Sequence, residues 1–513
     1  MTGLDAAAFI LKRTAAEASS QWAVRQGDVM FNKWLNGKNV VLSLIVASYL
    51  VRIFIAPFNI MVPHIPHDFY AYIGPGKCMV EGKFPLMNCL SWKEGNAQPS
   101  VYGPLLSTIF AAAYMAFGQY DFFAYKVIVI AFDAFNAALV YLIAKKLSSP
   151  KAALYAALMY SLSFMPLINS AVLGNDEIIT LFFILLSSYF VIEKKMFLSA
   201  ASYSLLLLLK PFPIVAAPAL FFYIYKKYGL KDGLKYIAYG VVCLLALLTI
   251  YISMGGFEGT LYYINAGSVG DEIGYTTNLS MFNIFKYITN INPSSFILPI
   301  MILSLLATLV LIFKFQIKNP EIELIRNIAA LMVVTLLFGN FLSGIYTIYF
   351  FPFLLILAVS SIKQVKKFNW KNLLGFLAVF TSLIIYSAIY REGLVNYTSS
   401  DRFLLLSALV AAVVGEFYLL SIGKGFRMVW TMIVLATIMY FEVYAAPLVI
   451  FPLQGLSGFI DLNHFSVINK LYGDHIMGSR DLFLAYGVFY ALPALILYIT
   501  MSLIFIKLFK RNY

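Results

Sequence analysis

The chain has 513 residues, 61% of them hydrophobic and 12% charged, with a formal net charge of +13 and a mean hydropathy of +0.84. A soluble globular chain carries about a quarter charged residues, and one core could not hide this much apolar side chain, so a water-soluble fold is excluded. The positive charge lies in short clusters between apolar segments, which excludes a nucleic-acid-binding face and fits loops on the cytoplasmic side of a membrane.

Residues 1–37 read as a polar, partly amphipathic segment on the membrane surface, and no removable signal peptide is apparent. Spans are expected at roughly 38–58, 122–144, 152–173 and 176–192. The apolar stretch from Phe197 to Tyr225 is interrupted by Lys210-Pro211-Phe212-Pro213. The prolines break helical hydrogen bonding there, so two short helices are expected to meet at the outer side. Further spans fall at roughly 236–255, 296–313, 325–343, 346–362, 372–390, 403–422, 428–450 and 482–506. The expected fold is all-α, a polytopic transmembrane bundle of about 12–14 spans with both termini on one side.

Charge placement orients the bundle. With the termini inside, inner segments hold 26 of the 37 Lys and Arg residues, including Lys145, Lys146, Lys194, Lys195, Lys226 and Lys227. Outer segments hold 14 of the 24 acidic residues and all four histidines, His64, His67, His464 and His475. This bias follows the positive-inside rule and puts both termini in the cytoplasm.

Three outer segments are long, at about 59–101, 256–295 and 451–481; loops of such length without structure of their own are usually functional. Just after the first, Val101 to Phe117 is apolar but short and is expected to lie along the membrane, because a full span would reverse the side of Lys145 and Lys146.

The first loop concentrates polar chemistry: His64, His67, Asp68, Tyr70, Tyr72, Lys77, Glu81 and then Tyr102-Gly103-Pro104. A carboxylate such as Asp68 at a membrane boundary can serve as general base for a hydroxyl acceptor; it can equally cap a short surface helix. Lys210 lies within an apolar stretch, where ionisable groups mark function by default. A lipid-linked phosphate suits its ammonium, and snorkelling to the interface is the plain alternative. Gly174-Asn175-Asp176-Glu177 opens a span at the same outer level, where it can orient a sugar or cap the helix. Lys126 and Asp133 share a helix face within the membrane and read as structural, facing other groups in the bundle. Glu416 and Glu442 lie deep in later spans.

No Walker loop, HExxH or paired CxxC occurs, which argues against an ATPase or a zinc protease. Pro66 stands two residues before Asp68, so the acid pair that often holds a metal on a sugar phosphate is incomplete.

In their order along the chain these motifs resemble the GT-C superfamily of integral membrane glycosyltransferases. The likeness is strongest to the catalytic subunit of glycosylphosphatidylinositol mannosyltransferase I and to bacterial polyprenyl-phosphate-mannose-dependent mannosyltransferases. It is carried by His64 to Asp68 with Glu81-Gly82-Lys83-Phe84-Pro85, by Tyr102-Gly103-Pro104, by Gly174-Asn175-Asp176, by Lys210 to Pro213, and by the Tyr346 to Pro352 segment. Lys126 and Asp133 match a pair in the mannosyltransferase I pattern. Pro66, in place of the first acid, and Ile345, in place of a glutamine before Tyr346, are departures.

The resemblance implies a catalytic half over 1–255 and a variable half over 256–513. It implies an inverting transfer of a hexose, with mannose as a candidate, from a polyprenyl- or dolichyl-phosphate donor to a lipid or glycan acceptor, without a metal. Asp68 would be the general base. Lys210, Tyr102, His64, His67, Tyr72, Lys77, Asn175, Asp176 and Tyr346 would bind donor phosphate and substrate. The setting would be a prokaryotic plasma membrane, with the Ile-, Tyr- and Lys-rich composition leaning toward an archaeon, and the site extracytoplasmic. The competing reading is a lipid-linked oligosaccharide flippase or another multispan transporter, which should have broken helices at matching positions of two repeats.

Overall fold

The computed structural model describes residues 38–56, 76–82, 90–91, 98–99, 104–117, 122–172, 174–210, 212–266, 282, 293–339 and 344–360. The segment 1–37, the loop 451–481 and every span expected from 372 onward lie outside the described residues, as do Glu416, Glu442, His464 and His475.

Eleven helices of ten residues or more carry the described fold: α1 Lys38–Ile55, α2 Pro104–Phe117, α3 Phe122–Leu147, α4 Pro150–Leu162, α5 Glu177–Ile192, α6 Met196–Leu209, α7 Ala217–Tyr228, α8 Leu230–Ala266, α9 Ser294–Lys314, α10 Pro320–Leu337 and α11 Phe351–Ser360. The described strand pairing is a two-residue antiparallel ladder in the first loop, Leu90 opposite Pro99 and Ser91 opposite Gln98. The expected spans and these helices agree closely as far as 360. The main difference is between α4 and α5, where the chain makes a four-residue helix, Phe164–Leu167, and a π turn, Ile168–Val172.

Local sequence sets the helix ends. Ser149 accepts a hydrogen bond from the Ala152 amide, and Asn319 from the Ile322 amide, each followed by a proline at the first helical position. Both use the side-chain cap and the proline that a helix start favours. The turn between α5 and α6 closes through Lys194, at φ 63°.

Helix α3 is the hub of the bundle, packing against α1, α4, α5 and α11. Helices α5 and α6 form a close hairpin in which the Ser187 and Ser199 hydroxyls each donate to the other residue's carbonyl, at 3.0 and 2.9 Å. Small hydroxyl residues of this kind let backbones approach in a bilayer and satisfy one another there.

Among the described residues, three helices contain stretches long and apolar enough to cross a membrane: Tyr125–Leu147, Leu230–Ser253 and Ser295–Lys314. The first is buried in the bundle. The other two expose large side chains, among them Leu234, Val242, Leu245, Leu298, Leu303 and Val310. In water such faces would drive aggregation; in a bilayer they meet lipid at no cost. The protein is an integral membrane protein. Helix α8 runs unbroken through 255, and α10 and α11 pack onto α7, α3 and α4.

At one end of the bundle the charges pair across helices. Lys226 reaches Glu323 at 2.5 Å and the Ile317 carbonyl at 3.2 Å. Lys227 pairs with Glu321 and donates to the Tyr223 hydroxyl at 2.8 Å, which itself donates to Glu321 at 3.3 Å. Lys146 pairs with Glu193 at 2.6 Å, tying the end of α3 to the end of α5.

Candidate active site

At the other end, the α5–α6 hairpin brings the start of α5 beside the end of α6. The Lys210 ammonium, in the extended residue that ends α6, lies 2.6 Å from Glu177 and 3.1 Å from Asp176. The two carboxylates are almost wholly buried, whereas the Lys210 side chain keeps 18% of its surface. A lysine taken from water needs this neutralisation. The expectation that Lys210, Asp176 and Asn175 share one level therefore matches the geometry, and Lys210 holds two carboxylates of its own chain.

Asn175 is placed by the π turn. Its amide N–H donates to the Asn169 carbonyl at 2.8 Å, and its side-chain amide to Asn169 Oδ1 at 3.0 Å. Single π turns often mark functional sites. Gly174 supplies the reversal at φ +67°, and a Cβ there would stand 3.0 Å from the Tyr125 ring. Only glycine meets both demands.

The 3-10 turn Gly344–Tyr349 covers the cluster. Lys210 sits over the Tyr346 ring at 5.7 Å, and that ring stacks on Tyr349 at 6.2 Å and 16°. Tyr349 also packs on Phe212, just beyond the break, at 5.5 Å. The break is held by Tyr203, whose hydroxyl donates to the Pro213 carbonyl at 2.5 Å.

One hydroxyl joins the end of the first loop to this region. Tyr251 of α8 accepts from the Leu105 amide at 2.6 Å and donates to the Leu208 carbonyl at 2.9 Å. The second residue of α2 thus hangs on the last turn of α6, two residues before Lys210. Lys77 pairs with Glu81 at 3.5 Å in a segment docked on α2, where a Cβ on Gly76 would meet the Ala111 amide at 2.9 Å. Asp68, His64, His67, Tyr72 and Tyr102 lie outside the described residues. Among the described residues no group of three His, Cys, Asp or Glu is placed to hold a metal ion.

Residues 101–339 match the model of glycosyltransferase family 87, a stretch that contains Asn175, Asp176, Glu177 and Lys210. The chain is a membrane glycosyltransferase. It is also similar to the crystal structure of ArnT from Cupriavidus metallidurans bound to undecaprenyl phosphate, at 14% identity and a TM-score of 0.48, over 92% of this chain and 78% of that one. No curated protein matches the glycosyltransferase.

Lys126 and Asp133 of the glycosyltransferase are both fully buried on α3. Lys126 donates to the Ala56 carbonyl at 3.2 Å. Asp133 pairs with Arg52 of α1 at 2.5 Å and accepts from the Tyr160 hydroxyl at 2.6 Å. Arg52 also donates to the Ser48 hydroxyl at 2.5 Å. The sequence offers Arg52, in the last turn of α1, no evident partner; an aspartate within the next span was the signal that could have paired them. Sequence reasoning also passed over Tyr251 and Tyr349, because a tyrosine among aromatics announces nothing until its hydroxyl has a place.

Proposed function

We propose that the protein transfers a hexose, with mannose the first candidate, from a polyprenyl- or dolichyl-phosphate donor to a lipid or glycan acceptor on the extracytoplasmic side of a prokaryotic plasma membrane. The observation that carries this reading is the Lys210, Asp176, Glu177 and Tyr346 cluster, built where an apolar helix ends at a membrane-level break. Carboxylates that accept from sugar hydroxyls, an ammonium that donates, and an aromatic face are the groups a glycosyl donor requires. The apolar helices on which they stand suit a substrate that arrives through the bilayer. Tyr251 links the end of the first loop to the break, which favours a site shared between them. Cys78 of that loop is disulfide-bonded, which suits an oxidising, extracytoplasmic compartment.

In this mechanism Asp68 takes the proton from an acceptor hydroxyl as its oxygen attacks the anomeric carbon from the face opposite the phosphate. The bond from carbon to phosphate oxygen breaks, and the lipid phosphate leaves already ionised, so no strong general acid is needed. Donors such as Lys210 and Tyr102 steady its charge in a low-dielectric pocket. Holding the lipid tail between helices confines and orients both substrates. No metal takes part.

The test uses purified protein with a panel of radiolabelled polyprenyl-phosphate hexoses and mixed lipid and glycan acceptors. Wild type transfers label from at least one donor with EDTA present, and Asp68→Asn lowers the rate about 10²–10⁴-fold, the usual share of a general base. Full transfer by Asp68→Asn would remove the base assignment, and loss of transfer in EDTA would restore a metal. Movement of intact donor across vesicles without transfer would favour the flippase.

A further inference from the structure

The Tyr349 side chain is 1% exposed, and its hydroxyl has no hydrogen-bond partner among the described residues. A buried hydroxyl left unpaired costs about 1–3 kcal/mol, and each such group in a native protein calls for an explanation. The surroundings of this one are specific. Its ring packs on Phe212 at 5.5 Å and stacks on Tyr346 at 6.2 Å, and the Tyr346 ring lies 5.7 Å from the Lys210 ammonium that pairs with Asp176 and Glu177. The ring is therefore held by aromatic contacts beside the charged cluster.

We propose that Tyr349 is a sugar-binding residue of this site, its hydroxyl reserved for a hydroxyl group of the transferred sugar. This rests on the reading of the cluster as the glycosyl-donor site and extends it to a new residue and a stated part of the ligand. A sugar fits the position: Asp176 and Glu177, held by Lys210 beside the Tyr346 ring that stacks on Tyr349, can accept from sugar hydroxyls. A phenol can both donate to and accept from a sugar hydroxyl, so it complements those two acceptors. The stacked Tyr346 and Tyr349 rings add an apolar wall for the C–H face of a pyranose.

Tyr349→Phe keeps the ring, its stacking and its volume, and removes the oxygen alone. Thermal unfolding in detergent should leave its midpoint unchanged or slightly raised, because no protein hydrogen bond is lost. With the radiolabelled polyprenyl-phosphate hexose that wild type uses, kcat/KM should fall about three- to tenfold, mainly through KM, as expected for one lost hydrogen bond. Inhibition by sugar-free undecaprenyl phosphate should be the same for both proteins. Unchanged KM in the variant overturns the proposal, and so does an equal loss of affinity for the sugar-free lipid phosphate. If wild type transfers from no donor, the functional reading itself fails and the proposal with it. If wild type transfers and the variant equals it, the proposal alone fails.

Discussion

Arg52 and Asp133 form an ion pair at 2.5 Å between α1 and α3, with neither side chain exposed at all. The second oxygen of Asp133 takes the Tyr160 hydroxyl, so the carboxylate ties three helices together. Removing one partner from a buried pair leaves an uncompensated charge and costs about 3–5 kcal/mol, whereas replacing both with apolar residues is often neutral. Arg52→Met and Asp133→Leu should each lower the unfolding midpoint in detergent sharply, and the double variant should recover most of the loss. A double variant as unstable as the worse single one would show that the pair is not the unit.

This network marks the limit of what could be read without coordinates. Period and charge placed α1 to α11 because apolar runs of spanning length and basic loop ends are local signals. They also brought Asn175, Asp176 and Lys210 to one level, since two antiparallel helices of similar length must return the chain to where it started. They did not say which groups would touch. Lys126 and Asp133 share a face of α3, yet their partners come from α1, its end and α4, and helix rotation within a bundle is fixed by packing, not by period. The pairing of Lys210 with Glu177 was hidden for the same reason.

Lys210 also bears on folding. Lys210→Met would leave Asp176 and Glu177 side by side with no cation at 2.6 or 3.1 Å. Its expected effects are a lower unfolding midpoint and a loss of transfer of about a hundredfold or more, the scale of one lost electrostatic donor in an active site. Adding Glu177→Gln should restore part of the stability and none of the activity. Recovery of both would make Lys210 a structural counter-ion alone.

Gly174→Ala tests the turn that presents Asn175. A non-glycine residue at positive φ costs about 1–2 kcal/mol, and the new methyl would press on the Tyr125 ring at 3.0 Å. Reduced stability and reduced transfer are expected together. Relief of the contact by Tyr125→Leu should return only part of each, since the backbone strain remains. Wild-type activity in Gly174→Ala would mean that the turn has slack.

The charged end predicts a pH effect. Burial pushes the Glu321 carboxyl up, but the hydrogen bond and charge of Lys227 outweigh it and hold the group below its ordinary value. A carboxylate depressed in the folded state contributes stability above its unfolded pKa, about 4.3, and loses it as pH falls through the lower folded value. Between pH 5 and 3 the unfolding midpoint of wild type should therefore drop more than that of Glu321→Gln; equal slopes would show that the contact contributes nothing. The difference should be small, because the pair is partly exposed and screened by solvent.

Tyr251 has a consequence for how the gene can vary. Most of α8 faces lipid, and positions such as Leu245 or Val242 should accept almost any apolar residue in a saturation library. At 251 a single oxygen closes both an amide at the start of α2 and a carbonyl at the end of α6. Phenylalanine there would fit the space and suit the bilayer, yet it would remove both hydrogen bonds at once. A hydropathy-based substitution matrix would score that exchange as harmless, and selection for function should score it among the least tolerated in the helix.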